Sequence, residues 1–227
     1  MTKIDTRIKT FIAPSDVISL ANMTSGFISI ICSFNGNFNM AAIFMIIAIM
    51  FDSADGWVAR KTNRNDELGF GKNIDSLSDA VSFGVAPAIF VYSSVNPNNI
   101  IVGLVSLFIV ICGILRLTRY NVISQHLNIS GFIGFPIPGI AFILATLYLS
   151  GIHSPYLVLA LSIIVSVLMI SNVHYPKFGN IPTLAVSCIL IVLMILPINL
   201  SVYNINIPAL ILLLFCLYYM IINIIKK

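Results

Sequence analysis

Charge is what this chain has least of. Only 9% of its 227 residues are Asp, Glu, Lys or Arg, against 59% hydrophobic, and the mean hydropathy is +1.02. A soluble domain of this length cannot bury so much apolar surface, so the composition excludes the water-soluble globular class and points to an integral membrane protein. The net charge of +4 says little by itself, and no nucleic-acid partner is expected. Cysteine is sparse: Cys32, Cys112, Cys188 and Cys216 all sit inside apolar runs, without disulfide or metal-ligand spacing, and read as small buried hydrophobes. His126 and His153 are lone loop histidines with no ligand partner nearby in sequence. An internal repeat is also lacking, which argues against an inverted-repeat transporter. The opening stretch MTKIDTRIKTFIAP has no apolar core ahead of a cleavage site, so it reads as an amphipathic helix lying along the interface rather than as a signal peptide.

Long apolar runs are what the chain does have. Eight of them, at about 16–34, 38–60, 71–94, 98–122, 134–151, 155–172, 180–197 and 205–225, approach the length a bilayer requires of a helix. The expected fold is therefore an all-α polytopic membrane protein: about eight transmembrane helices in one bundle, preceded by the short interfacial segment. With the N-terminus in the cytosol, all twelve Lys and Arg fall in the inside segments or the adjoining helix ends, and the four outside loops carry none. Both termini are then cytosolic. The eight acidic residues fall on the same half. The absence of a targeting segment suits a prokaryotic plasma membrane.

Four of those acids define the candidate site. Asp52 and Asp55 close the second run and Asp75 and Asp79 open the third, within DSADGWVARKTNRNDELGFGKNIDSLSD. At about 100° per residue, Asp52, Asp55, Gly56 and Ala59 share one helical face, while Gly71, Asp75, Ser78, Asp79, Ser82 and Ala86 share a stripe on the next helix. Two antiparallel helices joined by a short loop would bring the four carboxylates together, and the cluster would repel itself unless cations filled it. Carboxylate oxygens are hard ligands, so Mg2+, Mn2+ or Ca2+ suits them better than zinc, and four negative charges match two divalent ions. Such a pair clamps phosphate oxygens during displacement at phosphorus. Arg60 can add a bidentate phosphate contact, and Gly56 and Ala59 leave room for a large substrate.

A second polar concentration follows. Arg116 and Arg119 lie three apart in GILRLTRYNV, ahead of Gly134-Phe135-Pro136-Ile137-Pro138. They read either as snorkelling anchors or as receptors for an anionic substrate group level with the acids. Asn22 and Gly26 on the first helix read as a packing pair or as a contact to the acidic site. His174-Tyr175-Pro176-Lys177-Phe178 reads as an anchoring cytosolic turn, and residues 181–227 as a pair of scaffold helices.

The pattern Asp52-x2-Asp55-Gly56-x2-Ala59-Arg60 … Gly71-x3-Asp75-x3-Asp79 resembles the eight fixed positions of the CDP-alcohol phosphotransferase motif. The resemblance spans about residues 16–180, taken as the catalytic core after a cytosolic segment 1–15. The stretch 76–88, together with Arg116-Leu117-x-Arg119-Tyr120-Asn121, Gly134-Phe135-Pro136-x-Pro138 and Tyr175-Pro176-Lys177-Phe178, is similar to the serine-specific branch. The resemblance implies transfer of a phosphatidyl or archaetidyl group from CDP-diacylglycerol or CDP-archaeol to L-serine, with release of CMP. By the same resemblance, Asp52, Asp55, Asp75 and Asp79 hold two divalent cations, Mg2+ or Mn2+, and Asp79 is also the base. Asn22, Asp55, Gly56, Ala59, Arg60, Gly71 and Ser78 fall to the CDP-lipid, Arg116, Arg119 and Asn121 to serine, and a homodimer is expected. The loop from Arg60 to Gly71 is two residues longer than the family's usual spacer, which leaves contacts by Asp66 or Glu67 open. Glycerol phosphate or inositol phosphate as acceptor, a divalent-cation or proton transporter, and an inactive scaffold are the alternatives.

Overall fold

The computed structural model describes residues 7–62, 68–126, 131–176, 181–195, 201–203 and 205–225. Among them, eight helices follow the apolar runs: α1 (Pro14–Phe34), α2 (Phe38–Lys61), α3 (Phe70–Val95), α4 (Ile100–His126), α5 (Pro138–Leu149), α6 (Pro155–Ile170), α7 (Ile181–Ile195) and α8 (Ile207–Ile225). Two short antiparallel pairs join loops: β1 (Phe132–Ile133) with β2 (His174–Tyr175), and β3 (Ser201–Val202) with β4 (Ile205–Asn206).

Local sequence sets most of the ends. Pro14 opens α1, where its missing N–H costs nothing, and the Asp16 carboxylate accepts from the Ala13 N–H at 2.9 Å. Gly36 takes a left-handed φ of +72° in the turn to α2, as Gly151 does (+82°) after α5. Of the lead before α1, the described part contains one 3-10 turn, Ile8–Thr10, and Phe11 packs on Phe70 at the start of α3 (ring centroids 5.4 Å). Residues 1–6 lie outside the described residues.

Among the described residues, five helices are long and apolar enough to cross a bilayer: Pro14–Phe34, Phe38–Ala59, Phe70–Val95, Ile100–Ser124 and Ile207–Ile225. α4 leaves Ile100, Leu104, Leu107, Ile111 and Leu115 exposed at helical spacing, an apolar stripe suited to lipid. The chain is an integral membrane protein. The eight expected spans are not all of spanning length, and α5 shows why. Its apolar run begins at residue 134, but Gly134 adopts φ +80° and Pro136 and Pro138 delay the helix until Pro138. The remaining twelve residues are buried nearly all round, with Ile140, Ala141, Ile143, Leu144, Ala145 and Leu147 at most 1% exposed. α5 is the core of the bundle and packs on α2, α6 and α8.

One irregularity sits next to the acids. Directly after Asp79, residues Ala80–Val85 form a π turn, which leads into a helical stretch with Pro87 in its first turn. The proline ring would crowd the carbonyl one α-turn earlier, and the wider turn relieves that clash. Gly26 of α1 lies against this turn: a Cβ there would meet the Ser82 Cα at 2.6 Å. Gly26→Ala is therefore expected to cost about 1–3 kcal/mol through overpacking, measured by thermal unfolding in detergent. Gly103→Ala is the control, because its nearest neighbour would be a Tyr92 ring atom at an ordinary 3.8 Å.

Candidate active site

The acids arrive from two helices, as their spacing predicts. Asp52 and Asp55 lie one turn apart near the end of α2, and Asp75 and Asp79 one turn apart at the start of α3. Carboxylate oxygens of Asp52, Asp55 and Asp75 lie within 4.8 Å of one another. Asp79 is not in that trio; it stands one turn farther along α3, beside Asp52 and Asp75 and 7% exposed. Two bare carboxylates at such a range repel by about 3–4 kcal/mol even at an effective dielectric of ~20. Three such pairs rival the whole stability of an ordinary domain, about 5–15 kcal/mol, so the trio demands countercharge or protons.

The residues fit a metal. Every donor is a hard oxygen, and the Asp75 Oδ1 is buried with no hydrogen-bond partner, so a bound cation would satisfy it. The outer oxygens of the cluster are held by α1. Ser19 Oγ donates to Asp55 Oδ2 at 2.8 Å, and Asn22 Nδ2 donates to Asp79 Oδ1 at 3.1 Å. Ser82 Oγ in turn donates to the Asn22 carbonyl at 3.0 Å, which fastens the π turn to α1. Asn22 is fully buried and touches the acids, which decides between its two readings.

Ser19 was missed from the sequence, although a signal was present. Ser15, Ser19, Asn22, Gly26, Ser29 and Ser33 recur at spacings of 4, 3, 4, 3 and 4, and all are buried in the structure. That stripe of small residues lets α1 approach α2 and α3 closely. Lys72, which in the sequence counts only toward the inside charge, has a definite place here. Its Nζ donates to the Asn121 carbonyl at 2.7 Å and to Ser124 Oγ at 2.8 Å, tying the start of α3 to the end of α4.

The other expected site residues separate by position. Gly71 and Ser78 are buried on the site face of α3, with Ser78 Oγ unpartnered; Gly56 and Ala59 are half-buried on α2. Arg60 belongs to the last turn of α2, and its side chain lies outside the described residues, as do residues 63–67 with Asp66 and Glu67. Asn121 Nδ2 donates to Ser76 Oγ at 2.7 Å, a link between α4 and α3. Arg116 is 5% exposed and within electrostatic reach of Asp79 and Asp52. Arg119 points elsewhere, to the carbonyls of Ile133, Met169 and Ile170.

Tyr175 bears out the anchoring reading of its turn. It is fully buried against Phe135 (5.3 Å) and Tyr219 (5.6 Å), and Tyr219 donates to the Pro176 carbonyl at 2.7 Å. Burial pushes the Tyr175 phenol up to about 12. Lys177 and Phe178 lie outside the described residues.

Comparison with known proteins meets this geometry. The family model described as CDP-alcohol phosphatidyltransferase matches residues 12–168, which carry all four aspartates. The chain belongs to that family. It is an enzyme of the CDP-alcohol phosphatidyltransferase type, and the transporter and scaffold alternatives fall with that finding. The chain is 50% identical over 173 residues to an archaetidylserine synthase of Methanothermobacter thermautotrophicus, covering 76% of this chain and 73% of the relative. It is 36% identical over 219 residues to a CDP-diacylglycerol–serine O-phosphatidyltransferase of Methanocaldococcus jannaschii, covering 96% of each. A Bacillus subtilis protein of the latter name is 32% identical over 163 residues, 71% of this chain and 89% of its own length.

Proposed function

We propose that this CDP-alcohol phosphatidyltransferase moves the phosphatidyl or archaetidyl group of CDP-diacylglycerol or CDP-archaeol onto the hydroxyl of L-serine and releases CMP. The observation that carries the reading is the trio Asp52, Asp55 and Asp75 with Asp79 beside it, an acidic cluster inside a membrane bundle. The names of the three relatives favour serine over glycerol phosphate or inositol phosphate as acceptor.

Asp52, Asp55 and Asp75, with Asp79 at the edge, are the residues that would hold two divalent cations, Mg2+ or Mn2+. Bound there, the cations would neutralise phosphate charge and polarise the phosphorus centre. The protein's own groups supply the rest. Gly56, Ala59, Gly71, Ser78 and Arg60 form the CDP-lipid side, where the two small α2 residues let the pyrophosphate approach the backbone. Asp79, fixed through one oxygen by Asn22, accepts the serine hydroxyl proton with the other. The serine oxygen forms the new P–O bond as the bond to the CMP phosphate breaks, and CMP leaves with that electron pair.

The site faces the cytosol of a prokaryotic plasma membrane in this reading, with both termini on that side. Contacts between loops support it. β1 and β2 come from two segments that the charge rule puts inside. Asn206 N–H donates to the Ser150 carbonyl at 3.1 Å, joining the start of α8 to the end of α5 on the opposite side.

One experiment addresses reaction and side together. Labelled L-serine is given to inverted and to right-side-out vesicles containing the protein, a CDP-lipid of either backbone and Mg2+ or Mn2+. Labelled lipid and CMP should form in equal amounts in inverted vesicles alone. CMP release with another alcohol but not with serine would move the protein to that acceptor, and activity in right-side-out vesicles would reverse the topology.

A further inference from the structure

The last turns of α2 carry two unlike faces. Asp55 is buried on one of them, in line with Ala41 and Ala48 of the core. Two residues on, about 200° around the helix, Trp57 is 56% exposed. Met50, itself exposed, lies two turns before Trp57 and Lys61 one turn after it, so an apolar stripe ends in a cation. The stretch of α2 apolar enough to span a bilayer closes at Ala59. Trp57 therefore stands in the last turn of the span and Lys61 just beyond it, at the depth where lipid headgroups begin.

The two side chains are joined. Lys61 Nζ lies 4.8 Å from the centroid of the Trp57 ring. An indole face is the best aromatic partner for an ammonium, and it holds the end of a flexible side chain in one place. Among the described residues, the Trp57 Nε1–H meets no hydrogen-bond acceptor and the Lys61 ammonium no carboxylate. One small exposed patch thus offers a neutral N–H donor and a full positive charge side by side. Phosphate is the group at that depth of a bilayer that takes both. A zwitterionic headgroup brings its own ammonium up against Lys61. An anionic headgroup brings the phosphate charge without that repulsion.

We propose that Trp57 and Lys61 form a docking site for the phosphodiester of an anionic membrane lipid. The site lies on the side of α2 turned away from Asp55, so it is distinct from the acidic cluster and does not depend on which alcohol is the acceptor.

Trp57 is the chain's single tryptophan, so its fluorescence reports this patch alone. The full-length protein is placed in phosphatidylcholine vesicles that contain a small fraction of lipid brominated high on the acyl chains, either phosphatidylglycerol or phosphatidylcholine. Brominated phosphatidylglycerol should quench Trp57 about fivefold more strongly per molecule, the worth of one lysine at an anionic surface. Lys61→Gln should make the two lipids quench equally and leave the unquenched emission maximum in place, and Lys61→Arg should keep the preference. Lys9→Gln, in the lead before α1, should keep it too. If the maximum moves in Lys61→Gln, Lys61→Met reads the same ratio. Equal quenching in the wild type overturns the proposal, as does a preference that survives the loss of the Lys61 charge. A preference that Lys9→Gln lowers as much as Lys61→Gln also overturns it, because the charges would then act as one diffuse field. Quenching by neither lipid would mean that protein covers the patch, a second copy being the simplest cover, and overturns it as well. Inorganic phosphate at constant ionic strength should leave the preference unmoved, and its loss there would overturn a lipid as the source of the phosphate.

Discussion

Asp79→Asn is expected to lower CMP release by about 10²- to 10⁴-fold, the usual worth of a positioned general base. The reason is local. Asp79 Oδ1 accepts from Asn22 Nδ2 at 3.1 Å, so an asparagine at this position must present its oxygen to Asn22. Its NH2 then faces the substrate where a carboxylate oxygen stood, a donor in place of a proton acceptor. Shape and packing are kept, because the residue is only 7% exposed and the replacement is isosteric. Equilibrium binding of the CDP-lipid should therefore survive while turnover is lost. Near-wild-type turnover in this variant would mean that another group takes the hydroxyl proton.

The second large effect belongs to Asp75. Among the described residues its Oδ1 is a buried carboxylate oxygen without a hydrogen-bond partner, within a trio whose ligand oxygens lie inside 4.8 Å. Loss of an outer partner of a metal ligand typically costs 10–100-fold in affinity, so Asp75→Asn, which removes a ligand oxygen itself, should raise the Mn2+ midpoint for CMP release by more than about 100-fold. Calorimetric titration of Mn2+ should show the same shift. Stability gives an independent reading with the opposite sign in the two states. Without metal the variant should be more stable than wild type, since one repelling charge is gone. At a fixed Mn2+ concentration that saturates the wild type, the stabilisation by metal should shrink by about 2.7 kcal/mol for each 100-fold loss of affinity. An unchanged midpoint together with an unchanged metal increment would take Asp75 out of the ligand set.

Much of this was legible in one dimension. Apolar runs gave the helices to within a few residues, because membrane burial leaves a composition signal that no single substitution hides. Helical spacing put Asp52 with Asp55, and Asp75 with Asp79, on single faces, and the two pairs do meet. Periodicity could not separate Arg116 from Arg119. Three residues leave them only about 60° apart around the helix, and with long side chains that angle, added to the rise between them, sends one to the acids and the other to the end of α6. Ser19 was hidden for a related reason: a serine in an apolar helix reads as a small packing residue until the partner helix shows which acid it meets.

The sequence by itself determined the membrane class, the helices, the family and the four acids, since each depends on composition or on spacing along one element. Only the tertiary structure decided that α5 is a short central helix rather than a lipid-facing span, because that depends on what surrounds it. The same holds for the placement of Asp79 beside the trio rather than within it, and for the fastening of the acids by Ser19 and Asn22. These are relations between helices, set by crossing angles and by a π turn whose effect on direction no single-helix periodicity encodes.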